Sequence, residues 1–229
     1  MIYFFTGNPG NGKSLHMAEI IYRLIPKGKN VIANFEINEA VFDKFKHRDR
    51  HGKFIYMPNK YWLTNAYRNK DTGKYSYLEG LRNFALQFHE RDKKGHIIEK
   101  QTILVLDECQ TFFNSRSWNR ADRADWIDFM RNHRKYGYDI YLISQDDKVI
   151  DKQLRSILEY EFEHRCVNNF KLSGKLLGLL AGGKLFVCIQ RSYSCGASKK
   201  QSRIAAHYFT GKELFYNFYD SYAVFDRTP

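Results

Sequence analysis

The chain has 229 residues, 43% of them apolar and 16% aromatic, and carries a formal net charge of +12. This length suits one large domain, or a domain with an appendage, whose core needs no staples, and the composition excludes a disordered chain. The longest apolar run, LLGLLAGGKLFVCI, is broken by Lys184 and falls short of the roughly 20 residues of a membrane span.

The elements alternate in type along the chain. Ile2 to Thr6 is a continuous apolar run, as expected of a strand buried on both faces. Leu15, Ala18, Ile21 and Tyr22 then recur at helical spacing, predicting a helix over Ser14 to Leu24 that Pro26 and Gly28 stop. A second strand is predicted over Asn30 to Ile37, whereas residues 38 to 100 are hard to assign beyond a helix near Leu81 to Glu90.

Further on, TILVLDEC predicts a third buried strand within Gln101 to Cys109. An arginine-rich amphipathic helix follows over Trp118 to Tyr136, and Asp139 to Ser144 is a fourth strand. A helix over Asp147 to Leu158 and a strand over Glu161 to Val167 come next, and the tail from Lys171 reads as β-hairpins. Such alternation predicts an α/β fold with a mostly parallel sheet, flanking helices and a β-rich C-terminal appendage. The expected division is residues 1–170 as the core and 171–229 as that appendage.

The first loop carries the chemistry. Gly7-Asn8-Pro9-Gly10-Asn11-Gly12-Lys13-Ser14 fits G-x-x-x-x-G-K-[ST] without a mismatch, between a predicted strand and a predicted helix. Glycines allow positive φ and turn backbone N–H groups onto phosphate oxygens, and the helix start, through Leu15, adds its positive dipole end. Lys13 is expected on the β- and γ-phosphates and the Ser14 hydroxyl on Mg²⁺. The loop reads as a cradle for ATP or another nucleoside triphosphate.

The third strand ends in Asp107-Glu108. Asp107 suits a Mg²⁺ contact and Glu108 suits the general base that activates water, whereas a strand end with two surface acids is the plainer alternative. Gln145, ending the fourth strand, is a candidate γ-phosphate sensor. Arg131 and Arg134, three apart on one helix face, are candidates for an arginine finger across a subunit interface, as is Arg155, with a solvated helix face as the commoner explanation.

The remaining signals are weaker. Cys109, Cys166, Cys188 and Cys195 form no CxxC pair and read as free thiols of a reducing compartment, although Cys188 and Cys195 could face each other in a hairpin. Met1 leads straight into a strand with no secretory leader, so a cytoplasmic start is expected. His133 reads as structural, since no second His or Cys stands at ligand spacing. Trp118, Trp126, Tyr136 and Tyr138 read as core in preference to base-stacking residues. Basic clusters at Lys44 to Lys53 and Lys152 to Lys212 would attract phosphate backbones or anionic lipid.

Together, IYFFTGNPGNGKS, TILVLDECQ, RNHRKYGYDIYLISQ and DKQLRSI, in this order and spacing, resemble the zonula occludens toxin (Zot) family, which includes the inner-membrane assembly ATPases of filamentous phages. The resemblance runs from Met1 to about Arg165 and returns at LFYNFYDSYAV. It implies a RecA-like P-loop NTPase core with an additional strand between the Walker A and Walker B strands. It also implies roles for Lys13 and Ser14 on nucleotide and Mg²⁺, Asp107 and Glu108 on metal and water, and Gln145 as sensor. The implied setting is an oligomeric ring at the cytoplasmic face of the inner membrane. There it would work with phage coat and assembly proteins and single-stranded phage DNA, anchored through a transmembrane segment that these residues do not contain. A motor for phage extrusion is the leading reading. A phosphotransferase acting on a small acceptor is the alternative, and a nucleotide-controlled scaffold a third.

Overall fold

The computed structural model describes residues 1–45, 51–63, 76–116, 122–193 and 202–211, together with Phe215 and Phe218. In chain order the strands are β1 (Ile2–Thr6), β2 (Asn30–Ala33), β3 (Phe54–Tyr56), β4 (Thr102–Leu106), β5 (Tyr138–Ile143), β6 (Tyr160–Cys166), β7 (Leu185–Ser192) and β8 (Arg203–Thr210). The helices are α1 (Lys13–Leu24), α2 (Asn59–Leu63), α3 (Ser76–Phe88), α4 (Gln110–Phe113), α5 (Arg123–Asn132), α6 (Lys152–Arg155) and α7 (Lys171–Leu180).

The eight strands form one sheet in the order β3-β2-β4-β5-β1-β6-β7-β8. Pairings from β3 through β6 are parallel, and β7 and β8 continue the sheet antiparallel. β5 stands between β1 and β4, as the additional strand of the resemblance requires. Because all the parallel strands point one way, the ends of β1, β4 and β5 emerge together at one edge.

Alternation within the strands feeds two cores. Ile2 and Phe4 of β1 join Leu104, Leu106, Ile140 and Leu142 under α3 and α5, where Leu78, Leu81, Trp126 and Phe129 cover them. On the other face Phe5, Ile103, Val105 and Ile143 pack under α1 through Leu15, Met17, Ala18 and Ile21. Burial of each large apolar side chain contributes about 1.5–3 kcal/mol, so Leu15, Met17 and Ile21 are the main hold of α1 on the sheet.

Several elements differ from the sequence expectation. β2 stops at Ala33, four residues early, because the buried Asn34 turns its side chain onto the Asp107 backbone. β3 and α2 lie in the stretch that periodicity left unassigned. The helix expected over Asp147 to Leu158 is broken into a 3-10 turn and the single turn α6. There Ile150 is extended and bridges Asn114, and the Asp151 carboxylate caps the Gln153 and Leu154 amides. α5 begins at Arg123, with residues 117–121, and so Trp118, outside the described residues.

The tail, expected to be hairpins throughout, instead opens with the helix α7, and a turn at Gly182-Gly183 leads into the β7–β8 hairpin. Cys109, Cys166 and Cys188 are buried and free, while Cys195 is not among the described residues. Trp126, Tyr138 and His133 are buried, as expected of core groups. Most of the Lys44 to Lys53 cluster lies outside the described residues. No described helix is long and apolar enough to cross a membrane.

Candidate functional site

The chain leaves β1 at Thr6 and turns into α1 through three glycines with positive φ: Gly7 (132°), Gly10 (76°) and Gly12 (88°). Their reasons differ. A Cβ on Gly7 would sit 2.4 Å from the His164 carbonyl oxygen, and one on Gly12 would sit 2.8 Å from the Phe186 ring. These two glycines let the loop press against β6 and β7. A Cβ on Gly10 would meet nothing within 4 Å, so its dihedral alone calls for glycine.

Asn11 fixes the loop from its side chain. Its Nδ2 donates to the His164 carbonyl at 3.0 Å and its Oδ1 accepts from the Cys166 amide at 3.4 Å. The Gly7 amide donates to the Gln145 carbonyl at 3.3 Å, which ties the loop to the end of β5. Asn8, Pro9 and Gly10 form the exposed rim.

The start of α1 has neither a capping side chain nor an acid in its first turn. Its leading N–H groups therefore lack the partners that most helix starts recruit, which suits an anion at that point. Lys13 Nζ donates to the carbonyls of Gly7 at 2.6 Å and Asn8 at 3.3 Å, spanning the place where phosphate oxygens would be held. Burial pushes the Lys13 ammonium below its ordinary pKa, while the charges of Asp107 and Glu108 oppose the shift. Ser14 lies in the first helical turn and is partly exposed, whereas the Leu15 side chain turns into the core, leaving only its amide for a ligand.

The facing wall is the end of β4. Asp107 is buried, its amide donates to Asn34 Oδ1 at 2.7 Å, and its carbonyl accepts from Asn34 Nδ2 at 2.8 Å. Asn34 Nδ2 is itself held by Asn59 Oδ1 at 2.8 Å. Asp107 Oδ1 accepts the Glu108 amide at 2.8 Å. Glu108 has φ +50°, a left-handed conformation that costs a non-glycine residue of order 1–3 kcal/mol, and its carboxylate accepts from the Gln110 side chain. Beside them the Cys109 thiol is fully buried. Burial, with the charges of Asp107 and Glu108, raises its pKa well above the ordinary value, so it is no nucleophile.

Other expected residues fall in different places. Gln145 lies two residues past the end of β5, between the loop strand and the acid strand, and is exposed. Arg131 and Arg134 sit at the opposite edge of the sheet, where α5 feeds the start of β5. Arg134 pairs with Glu159, whose other oxygen accepts the Ile2 amide at the start of β1. The length of β1, about 13 Å, separates that edge from the cradle. Neither arginine therefore belongs to the cradle of its own chain.

One cluster beneath the loop was illegible in sequence. His16 Nδ1 lies 2.8 Å from His164 Nε2, and Cys188 Sγ lies with them within 4.8 Å. His164 Nδ1 donates to the Phe162 carbonyl at 2.9 Å, which leaves Nε2 to accept the His16 N–H. Tetrahedral zinc with Zn–N near 2.0–2.1 Å would spread two imidazole nitrogens to about 3.3 Å, so the closer pair is a direct hydrogen bond. These residues are 148 apart in sequence, and no local spacing could announce them.

The sequence profile of the family described as zonular occludens toxin (Zot) matches residues 1–175. The Gene 1 protein of Enterobacteria phage M13 is 31% identical over 98% of this chain and 60% of its own length. The Gene 1 protein of Salmonella phage IKe is 32% identical over 80% of this chain and 46% of its own. The chain thus spans less than two thirds of these relatives. Among solved structures, the N-terminal domain of zonular occludens toxin from Neisseria meningitidis superposes with a TM-score of 0.55 at 17% identity, covering 96% of this chain and 98% of that one. The genome packaging NTPase B204 of Sulfolobus turreted icosahedral virus 2, in complex with ATP-gammaS, gives 0.50 at 14%, covering 90% and 95%. The fold is that of the P-loop NTPases.

Proposed function

The chain belongs to the zonular occludens toxin family, and from that premise we propose that it is the Mg²⁺-dependent, ATP-hydrolysing motor domain of a filamentous-phage assembly machine. The observation that carries the reading is the convergence of Lys13 with Asp107 and Glu108 across β5, close enough for both acids to act on the Lys13 charge.

In this reading Lys13 exchanges the Gly7 and Asn8 carbonyls for β- and γ-phosphate oxygens, and the loop amides with the start of α1 hold the remainder. Ser14 and Asp107 have the oxygen donors that Mg²⁺ takes, and the ion would neutralise phosphate charge. Glu108 accepts a proton from the attacking water as its oxygen bonds to the γ-phosphorus. The bond from that phosphorus to the bridging oxygen breaks, releasing ADP and phosphate. Gln145, between the two walls, is positioned to report the γ-phosphate. Arg131 or Arg134 of a neighbouring copy would complete the site, which calls for a homo-oligomeric ring. The setting we infer is the cytoplasmic face of the host inner membrane, with phage coat and assembly proteins and single-stranded phage DNA as partners. That the relatives include the Gene 1 proteins of phages M13 and IKe supports a phage setting.

The test is phosphate release with ATP and Mg²⁺ by wild type and by Glu108→Gln, with native mass recorded alongside. Turnover by an oligomer, together with a Glu108→Gln protein that binds ATP and stalls, is the expected result. Equal turnover by both proteins would remove Glu108 as base and with it the proposed mechanism.

A further inference from the structure

α7 is built inside out. Its two glycines face the protein: a Cβ on Gly174 would lie 2.1 Å from the Val167 carbonyl oxygen, and one on Gly178 would lie 2.0 Å from the Asn168 side chain. The 3-10 turn Val167–Asn169 therefore meets bare backbone, and Asn168 closes the far end by donating to Gly183 and accepting from the Leu185 amide. With the inner face given to glycine, the leucines point outward. Leu172 is 85% exposed, Leu179 76%, Leu180 77%, Leu176 59% and Leu177 51%. An amphipathic helix on a soluble core does the reverse, and a contiguous face of five leucines marks a surface made for an apolar partner.

Charge selects the partner. Between Glu163 and Glu213 the chain holds nine lysines and arginines and no aspartate or glutamate, and only two of the nine, Arg165 and Arg191, are paired, both with Glu163, among the described residues. Lys175 on α7 and Lys184 just after it are both exposed. A second copy of this face would set positive against positive. A nucleic acid would answer the lysines and leave the leucines in water. A bilayer carrying anionic headgroups answers both, because apolar side chains enter the acyl boundary while lysines remain at headgroup level.

We propose that α7 is an interfacial helix that lies on an anionic lipid surface, with Leu172, Leu176, Leu179 and Leu180 inserted and Lys175 and Lys184 at the headgroups. At ten residues it lies in the interface and does not cross it. The inference rests on the reading above for the presence of a bilayer, yet nothing in it depends on hydrolysis. The cradle and α7 belong to different parts of the chain.

The experiment is co-sedimentation of the 229-residue chain, without nucleotide, with phosphatidylcholine vesicles that contain or lack phosphatidylglycerol. The wild type is expected to sediment with the phosphatidylglycerol vesicles and to be released by high salt. Leu176→Glu/Leu180→Glu should weaken binding about tenfold or more, and Lys175→Gln/Lys184→Gln by a few-fold. Nucleotide binding by each variant, read separately, shows that the fold is intact, and a chain that binds lipid but fails to hydrolyse ATP would overturn only the motor reading. Three results would overturn the inference. The first is a wild type that ignores the vesicles, and the second is a double glutamate variant that binds as wild type does. The third is a wild-type oligomer that ignores vesicles and that the glutamates dissolve, which assigns the face to a second copy.

Discussion

Asn11 reaches from the tip of the phosphate loop to the backbone of β6, donating to the His164 carbonyl at 3.0 Å and accepting from the Cys166 amide at 3.4 Å. One side chain thus satisfies two backbone groups and sets the loop's height above the sheet. Removing it leaves a strand carbonyl without its partner. Asn11→Ala should cost about 1–2 kcal/mol, lowering Tm by roughly 2–6 °C and weakening nucleotide binding. Thermal melts with and without nucleotide check this, and an unchanged Tm would show that the clamp contributes nothing.

Lys13 donates to two backbone carbonyls in a pocket whose burial disfavours its charge and whose acids, Asp107 and Glu108, favour it. Lys13→Ala should weaken ATP binding about 10- to 100-fold, the worth of charge-assisted hydrogen bonds of 1.5–3 kcal/mol, while leaving Tm nearly unchanged. A fluorescent-nucleotide titration reads the affinity directly.

Glu108 occupies a left-handed conformation that glutamate tolerates poorly. Glu108→Asn should relieve part of that strain and raise Tm by a few degrees, while phosphate release falls by two to four orders of magnitude. A variant both less stable and less active would show that the dihedral carries no strain worth relieving.

The His16–His164 pair makes stability depend on pH. Burial lowers the His16 pKa to about 4 and holds that of His164 well below the ordinary imidazole value. Above about pH 6.5 both are neutral whether the chain is folded or not, so neither opposes folding. Below it the unfolded chain takes up protons that the fold refuses; His16 lowers stability by about 1.4 kcal/mol per pH unit down to about pH 4, and His164 adds a loss of the same sign. Urea unfolding across this window should show stability falling as pH falls in wild type, and falling less steeply in His16→Leu.

The sequence by itself determined the fold class and picked out the candidate nucleotide site, because both rest on local patterns. The loop from Gly7 to Ser14 needs contiguous glycines, lysine and serine, and the Asp107-Glu108 pair needs only a buried strand ahead of it. Family membership was legible for the same reason. Periodicity misjudged elements that answer to distant partners. Asn34 ends β2 early for the sake of Asp107, and Asp151 breaks an expected helix by capping its own short turn.

Tertiary structure alone decided what no spacing encodes. It brought Lys13 within reach of the charges of two acids more than ninety residues away, and it placed Arg131 and Arg134 at the other edge of the sheet. It joined His16 to His164 beneath the loop, and it turned the glycines of α7 inward so that its leucines face out. Backbone chemistry is written in neighbouring residues. Which side chains share a space depends on strand order and on how closely two backbones approach, and those are settled only when the whole chain packs.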